Sequence, residues 1–492
     1  MKNKYHNYPL VILGTTIISL FILSFVPENF ELFGLEIKRV DILSDLKDDE
    51  LDEEYQFEEY FEDDTEEDEF FIDDSTDENF DNGSLEIYRS ENPKYLYAKS
   101  FLIGELVDYA YQFFNKELNK YGSTRTKQQE ISGNIGHLKG FIQSLKKSKS
   151  KQIRIAHYGD SAIEGDLITA DLRQILQSKF GGNGVGYVSI TSQDTKFRLT
   201  TKHKFSNNWE TASVYTRNPD RLPVGISGEI FVNGSNSWVE YKASQQYNTS
   251  RYFENVRIFY SDAKKGSSLN YSFDGGKKMS VKLLPSNNIK EVVLKANKKV
   301  KSIKIEFPKK ETAYFYGVSL EGGSGIYVDN FPLRGNTGAD LRDISLENLK
   351  AFNKLLDYDL IIFEFGLNAM NSRSGNFKRY ERDMTKVVEH FAKAFPSTSF
   401  LIVGAHDRAI KKGSQLQTDP AVFKLVQAQI NVAKNTKVAF WNLFEAMGGK
   451  NSIIRWVDAN PPLAHKDYIH FNLQGAKKEA ELLSNALLKL YK

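Results

Sequence analysis

Short polar segments at three points of the chain carry residue types that together perform nucleophilic catalysis. Ser161 follows Gly-Asp at the end of an apolar run, and Asp467 stands three residues before His470. A serine hydroxyl becomes a nucleophile when an imidazole takes its proton, and a carboxylate on the other ring nitrogen orients that imidazole. Asn368 follows a second apolar run, and its amide is suited to stabilise an oxyanion. The residue types therefore predict acyl transfer, with Ser161 as the nucleophile, His470 as the base and Asp467 as the orienting acid.

Each of these segments alone also has a plain structural interpretation. Ser161 would serve as a helix N-cap, Asp467 as a cap of the final helix, and Asn368 as a turn residue. Their order favours catalysis: a nucleophile after the first strand, an amide after a middle strand, and Asp-x-x-His before the last helix. Loops that follow parallel strands meet at one edge of the sheet, where the active sites of such folds lie. We therefore expect these side chains to converge at that edge.

The apolar pattern around these segments predicts the elements that position them. Runs rich in Ile, Val and Phe alternate with segments of helical period, which is typical of a parallel sheet covered on both faces. The predicted strands are 152–158, 360–365, 399–403 and 437–441, and the predicted helices are 168–180, 376–394, 419–434 and 473–491. The predicted fold class is therefore α/β, with three layers and the sheet in the middle.

Between about residues 197 and 322 the helical period disappears. Alternating stretches separated by turn residues occur at 229–232, 237–242, 255–260, 269–273, 279–284, 291–295 and 302–307. The tripeptide Asp274-Gly275-Gly276 is a strong signal for a hairpin turn. Roughly eight or nine short strands in this length indicate an all-β sandwich, or jelly roll, inserted into the α/β domain.

The combined segments resemble the sequence blocks of the SGNH, or GDSL-type, hydrolase superfamily. His-Tyr-Gly-Asp-Ser-Ala matches its first block, Phe-Gly-Leu-Asn-Ala its third and Asp-Tyr-Ile-His-Phe-Asn its fifth. The second block, which supplies an oxyanion glycine, resembles Leu-Arg-Gly-Asn-Thr-Gly at 333–338. We assign that role to Gly335, with Gly338 as the alternative.

The resemblance covers 151–198 and 324–492 and implies an oxyanion hole. Its donors would be the Ser161 backbone N–H, Gly335 and Asn368. After the serine, Ala-Ile-Glu-Gly-Asp replaces the leucine of the older GDSL pattern. This departure leaves the chemistry intact but removes the grounds for calling the protein a lipase.

The position of the insert narrows the resemblance to one group of enzymes within the superfamily. It lies between the first and second blocks, as in envelope SGNH enzymes that remove O-acetyl groups from peptidoglycan and carry a carbohydrate-binding-like domain there. The resemblance implies a serine esterase whose partner is an O-acylated glycan polymer. An O-acetyltransferase with the same triad stays open, and so does a non-catalytic glycan-binding protein. The presence of all three triad residues argues against the last.

The N-terminal segment predicts a membrane anchor. Pro9 to Val26 contains 18 residues without a charge, preceded by Lys2 and Lys4 and followed by Glu28. This length spans about 27 Å as a helix, enough for a bilayer core. The positive flank places the N-terminus in the cytoplasm and the catalytic domain in the periplasm or outside the cell. A cleaved signal peptide is the alternative, although its apolar region is normally shorter.

The net charge of +1 hides an uneven distribution. From Asp48 to Asn82, 20 of 35 residues are acidic and none is basic, so the rest of the chain has 65 basic and 44 acidic residues, a net of +21. An acidic run without periodicity predicts an extended, disordered tether. Its interspersed aromatic residues leave open that it docks on the basic body of the same chain.

Other site classes find no support in the sequence. The chain has no cysteine, which excludes disulfides, Cys-ligated metals and a Cys nucleophile. No His, Asp or Glu cluster has metal-ligand spacing, and Gly181–Gly186 lacks the lysine of a phosphate-binding loop. We therefore expect no cofactor, no metal, and neither nucleotide nor nucleic acid as partner. The predicted domains are an anchor (1–27), the tether (28–92), a helical neck (93–150), the hydrolase domain in two parts (151–198 and 324–492) and the sandwich (199–323).

Overall fold

The structure is a computed structural model that describes residues 30–32, 35–37, 129–216, 218, 220–371 and 376–491. Its strands, in chain order, are β1 (Phe30–Leu32), β2 (Leu35–Ile37), β3 (Ser132–Gly133), β4 (Gln152–Gly159), β5 (Gly186–Val188), β6 (Thr201–Phe205), β7 (Trp209–Ser213), β8 (Glu229–Asn233), β9 (Ser237–Ala243), β10 (Phe253–Ser261), β11 (Ser268–Phe273), β12 (Met279–Lys282), β13 (Lys290–Val300), β14 (Ser302–Phe307), β15 (Tyr314–Glu321), β16 (Gly325–Pro332), β17 (Tyr358–Glu364), β18 (Ser399–Val403), β19 (Ala409–Lys412), β20 (Gln415–Thr418) and β21 (Ala439–Trp441). Its α-helices are α1 (Lys139–Leu145), α2 (Leu167–Phe180), α3 (Leu346–Leu356), α4 (Lys378–Ala394), α5 (Pro420–Thr436), α6 (Leu443–Ala446), α7 (Ser452–Val457) and α8 (Leu473–Leu490). Short 3-10 helices cover Ile135–Leu138, Ser161–Asp166, Gln193–Lys196, Ala339–Asp343 and Leu367–Asn371.

The chain divides into two units, Met1–Glu91 and Asn92–Lys492. In the first unit, β1 and β2 pair antiparallel, with Phe30 opposite Ile37. This hairpin falls at the apolar beginning of the segment predicted as a tether. The predicted membrane anchor, the acidic run and the first part of the predicted neck lie outside the described residues. In the part of the chain that is described, no helix combines the length and the apolar character needed to span a bilayer.

The second unit is built on a six-stranded sheet in the order β16-β4-β17-β18-β21-β3. The first five strands are parallel, and β3 lies antiparallel to β21 at the edge. Residues alternate across the central strand β17. Ile361 and Phe363 join the apolar core formed with α3, α4 and α5, whereas Glu364 faces α8 on the other side. Both faces are covered, so β4 and β17 are buried along almost their whole length.

The inserted segment forms two packed antiparallel sheets. One has the order β13-β10-β15-β8-β7 with β5 added beside β15, and the other has the order β12-β11-β14-β9-β6. Alternating apolar residues such as Val239, Ile303 and Val318 fill the space between the sheets. The outer face of the first sheet packs on the α/β domain, where Phe259 and Tyr316 both contact the ring of Phe352. The sandwich is therefore fixed against the parallel sheet through an apolar interface.

The α/β layers and the inserted sandwich match the predicted fold class, while some element boundaries differ. The described end of the predicted helical neck contains a 3-10 turn followed by the short α1. The predicted strand 437–441 begins only at Ala439, because Lys437 adopts φ +57° as the C-cap of α5. β5 lies in the segment predicted as hydrolase yet pairs with β15 of the sandwich. The hairpin β19–β20 had no signal in the sequence.

Candidate active site

The predicted nucleophile lies directly after the central strand β4. Ser161 begins a 3-10 helix, and the preceding Asp160 accepts a hydrogen bond from the Ala162 N–H at 3.1 Å. Gly159 ends the strand where a Cβ atom would lie 3.1 Å from the Glu364 carbonyl and closer still to Ile163. The close approach of β17 therefore requires a glycine here. The Ser161 side chain is half-buried, and its hydroxyl makes no hydrogen bond to any residue within the described ranges.

Asp467 and His470 form a hydrogen-bonded pair in the loop before α8. Asp467 Oδ2 lies 2.6 Å from His470 Nδ1, and Asp467 Oδ1 accepts the N–H groups of Ile469 and His470 at 2.8 and 3.0 Å. Burial of the Asp467 carboxyl opposes ionisation, but the hydrogen bond and charge of His470 outweigh it and lower the pKa of Asp467. The carboxylate thus holds the imidazole by its Nδ1 atom.

The buried His406 packs against the loop that carries Asp467 and His470. Its Nε2 lies 2.9 Å from the Ile469 carbonyl, and its ring packs on Phe471 with 4.5 Å between ring centroids. Burial lowers the pKa of His406 to about 4, so near neutral pH the ring is neutral and donates its Nε2 hydrogen to that carbonyl. His406 thereby contacts the residues on both sides of His470.

The glycine-containing loop after β16 lies beside the nucleophile loop. The Leu333 N–H donates to the Gly159 carbonyl at 2.8 Å, and the Asn336 N–H closes a turn to the Leu333 carbonyl at 3.0 Å. Gly335 has φ +70° and open space around the position of a Cβ atom, whereas a Cβ at Gly338 would lie 2.8 Å from Met384 and Phe365. Of the two candidate glycines, Gly335 is the one with an open side.

Asn368 connects three loops at the sheet edge. Its Nδ2 lies 3.2 Å from Asp160 Oδ2 and 3.1 Å from the Asn336 carbonyl. Both amide hydrogens therefore have acceptors within the protein, and donation to an oxyanion requires that one of these bonds be shared or exchanged. The amide is fixed next to Ser161, since Asp160 is the residue before it.

A group of buried acids lies under this edge. His157 Nε2 is 2.8 Å from Glu364 Oε2, and Glu479 of α8 lies against Glu364. Burial and the nearby Glu364 carboxylate raise the pKa of Asp160 to about 7, against opposing hydrogen bonds and the His470 charge. Burial and the same neighbour raise the pKa of Glu479 well above its usual value. The surroundings of Glu479 therefore favour its neutral, protonated form.

The structure thus brings the Ser161 loop, the Asp467–His470 pair, Gly335 and Asn368 to one edge of the sheet. Asp160, the residue before Ser161, accepts a hydrogen bond from Asn368 and lies close enough to His470 for the imidazolium charge to lower its pKa. Gly335 lies in the loop that bonds to Gly159. It does not place the Ser161 hydroxyl in hydrogen-bond contact with His470, a contact that is often long in proteins without bound substrate. Sequence reasoning missed the buried acids, although a glutamate within an apolar strand is itself a signal of a functional or paired group. Within the described ranges no cluster of three or more His, Asp or Glu side chains is placed to hold a metal ion.

Solved structures resemble the chain, while no protein-family model and no curated protein matches it. A peptidoglycan O-acetylesterase matches 73% of this chain and 99% of its own length, with a TM-score of 0.61 and 21% identity. A family two carbohydrate esterase from Cellvibrio japonicus matches 59% of this chain and 98% of its own, with a TM-score of 0.25 and 9% identity. A salicylyl-acyltransferase from a tetracycline biosynthetic pathway matches 62% and 97%, with a TM-score of 0.28 and 13% identity.

The structural comparison rests on the peptidoglycan O-acetylesterase, because its TM-score of 0.61 reflects a common arrangement of elements over 73% of the chain. At 21% identity it bears on the fold alone. The chain therefore has the SGNH-type hydrolase fold that its sequence blocks resemble.

Proposed function

We propose that this protein is an SGNH-type serine esterase that removes O-acetyl or other short acyl groups from a cell-envelope polysaccharide such as peptidoglycan. The observation that carries the proposal is the Asp467–His470 pair, 2.6 Å apart, at the same sheet edge as Ser161 and Asn368. A carboxylate-oriented imidazole at the same sheet edge as a serine is the apparatus of acyl transfer. The fold shared with a peptidoglycan O-acetylesterase supports the choice of ester.

We infer the following reaction for these groups. His470 Nε2 takes the proton of Ser161 as its oxygen attacks the ester carbonyl, and Asp467 stabilises the imidazolium that forms. The oxyanion accepts hydrogen bonds from the N–H groups of Ser161 and Gly335 and from Asn368. The bond to the sugar oxygen then breaks, and His470 protonates that oxygen as it leaves. Water attacks the acyl-serine with His470 again as base, which releases acetate and restores the serine.

The experiment is hydrolysis of 4-nitrophenyl acetate by the full chain and by Ser161→Ala. Loss of the serine alone lowers kcat by about 10⁶-fold in serine hydrolases, because nucleophile and base act as a unit. The variant should therefore show no turnover above background. Ser150→Ala, an exposed serine before β4 at the opposite edge, is the matched control and should retain full activity. Turnover that survives Ser161→Ala would remove this site from consideration.

Acetylated glycan strands separate the esterase from the alternative acetyltransferase. An esterase releases free acetate in an amount equal to the ester lost, whereas a transferase moves the acyl group to an added glycan. A glycan-binding protein without catalysis would do neither and would not react with a fluorophosphonate probe. We favour hydrolysis because the intact triad needs only water for its second step.

We also propose that the chain is anchored in the membrane with its catalytic unit outside the cytoplasm. The uncharged segment from Pro9 to Val26 and the lysines before it support this topology. The full chain should remain in the membrane fraction after carbonate extraction, and added protease should reach the catalytic unit once the outer barrier is opened. Release of the chain by carbonate would contradict the anchor, and a shortened N-terminus would show cleavage instead.

A further inference from the structure

The loop between β7 and β8 brings part of the inserted sandwich to the edge that carries Ser161. The Tyr158 hydroxyl, just before the nucleophile loop, donates to the Ile226 carbonyl at 2.8 Å. Asn348 of α3 donates its amide to the Val224 carbonyl, also at 2.8 Å. Val224 and Ile226 are buried in the same apolar cluster as Leu333. The loop is therefore fixed beside the ends of β4 and β16, from which the nucleophile and glycine loops leave.

Tyr215 is the aromatic residue that this loop presents to solvent. It is 38% exposed. The hydroxyls of Ser213 and Thr216 lie 2.7 Å apart and each bonds to the backbone N–H of the other residue, which fixes the turn around Tyr215. The Tyr215 hydroxyl lies 3.4 Å from Glu229 Oε1. One end of the ring is thus anchored while part of the ring surface stays open.

The glycine loop lies close to the turn that carries Tyr215. A Cβ atom at Gly228 would lie 3.0 Å from Val214, the residue before Tyr215, and 3.9 Å from Leu333, the residue before Arg334. Glu164 is the third residue after Ser161, and its Oε2 lies 3.7 Å from the guanidinium of Arg334. Arg334 is the residue before the predicted oxyanion glycine, and its side chain is 22% exposed. An aromatic face and a guanidinium therefore occupy one rim of the candidate active site, and the Glu164 carboxylate, only 6% exposed, lies buried against the guanidinium.

This combination suits a sugar ring. The C–H face of a pyranose packs on an aromatic ring, and guanidinium N–H groups donate to its oxygens. We propose that Tyr215 and Arg334 form a saccharide subsite that holds the ring adjoining the acylated ring, with the buried Glu164 carboxylate positioning the guanidinium. The subsite rests on the proposed function for what happens at Ser161, yet it binds glycan whether or not the serine turns over. The sandwich then contributes directly to substrate selection, by a loop rather than by a separate binding face.

The experiment compares two substrates in the full chain. O-acetylated peptidoglycan strands occupy the subsite, whereas 4-nitrophenyl acetate is too small to reach it. The variants are Tyr215→Leu, which keeps apolar bulk without an aromatic face, and Tyr215→Phe, which keeps the face without the hydroxyl. Tyr252→Ala is the matched control, a half-buried tyrosine of the same sandwich beside β10 residues that pair with Glu321 at the opposite edge.

The quantity to compare is kcat/KM for the glycan divided by kcat/KM for the small ester. We expect Tyr215→Leu to lower this ratio about tenfold, because the glycan loses one stacked ring and its KM rises. Tyr215→Phe and Tyr252→Ala should keep the ratio within about twofold of the original. The proposal is overturned if Tyr215→Leu leaves the ratio unchanged, if it lowers both reactions equally, or if Tyr215→Phe is as damaging. Co-sedimentation of the Ser161→Ala chain with insoluble peptidoglycan tests the subsite without turnover. Tyr215-dependent binding there would stand even if the esterase proposal failed.

Discussion

The strand β4 carries two buried charge clusters, one near its beginning and one at its end, and they differ in composition. Near the beginning, Arg154 binds Asp329 at 2.8 Å and also pairs with Glu321 of the sandwich. At the end, Asp160 lies close to Glu364 and Glu479, and the nitrogen partner of Glu364 is the imidazole of His157. The first cluster pairs every acid with a cation. The second places acids against one another.

The pKa values of the two clusters move in opposite directions. Burial would raise the pKa of Glu321, but the charges of Arg154 and Arg257 outweigh it and lower the value to about 2. Burial raises the pKa of Asp160 to about 7, with Glu364 adding to the shift. A paired cluster ties the sandwich to the sheet, and an acid cluster of raised pKa lies at the candidate active site. Perturbed acids of this kind gather at functional sites because their environment serves catalysis before stability.

Arg154→Met should produce the largest loss of stability. It removes the cation while Glu321 and Asp329 remain buried, and breaking a buried ion pair from one side costs about 3–5 kcal/mol of unfolding free energy. Urea unfolding measures this change. Arg379→Met removes an 86% exposed arginine that pairs with Asp383 and should change stability by less than about 1 kcal/mol. Equal losses for the two variants would show that the cluster does not anchor the sandwich.

Asn368→Ala should act on activity rather than on stability. Loss of one oxyanion donor lowers kcat by about 10²- to 10³-fold, and the exposed Asn435→Ala on α5 is the control. The unfolding free energy should fall far less than in Arg154→Met, because Asp160 keeps the Ala162 N–H as a donor. A full kcat with unchanged KM would remove Asn368 from the oxyanion hole. A large loss of stability would place it with the structural cluster instead.

The sequence predicted the parts of this molecule that follow a period or a motif. The buried strands, the amphipathic helices and the spacing of Asp467 and His470 each repeat a pattern within a short stretch of chain. The sandwich strands appeared through their alternation, for example 302–307, which the structure places at Ser302–Phe307. Local pattern therefore sufficed for these elements and for the hydrogen-bonded pair of Asp467 and His470.

The remaining site residues depend on contacts between distant segments. Glu364 ends an apolar strand and Glu479 lies in the middle of α8, so only the packing of α8 on β17 brings them together. Tyr215 lies in a sandwich loop without periodicity, and its position follows from hydrogen bonds that join the loop to β4 and α3. Burial decides the charge state of such groups, and burial is a property of the folded chain.

Glu479→Gln should have the smallest effect and the clearest pH dependence. The folded-state pKa of Glu479 is raised, so between its usual value and that raised value the folded chain binds more protons than the unfolded chain. The stability of the original protein therefore falls as pH rises through this window, by about 1.4 kcal/mol for each unit of displacement. Glutamine stays neutral at every pH, so the variant does not lose this stability as the pH rises. The variant should match the original protein at pH 4 and exceed its unfolding free energy at pH 8.

Glu481→Gln is the control for this comparison, since Glu481 lies on the same helix, is 42% exposed and pairs with Lys478. Its stability should follow that of the original protein at both pH values within about 0.5 kcal/mol. A Glu479→Gln variant that is less stable than the original at pH 8 would mean that the carboxylate is stabilised by its surroundings. The acid cluster would then be a paired structural unit like the one around Arg154, and the contrast between the two ends of β4 would disappear.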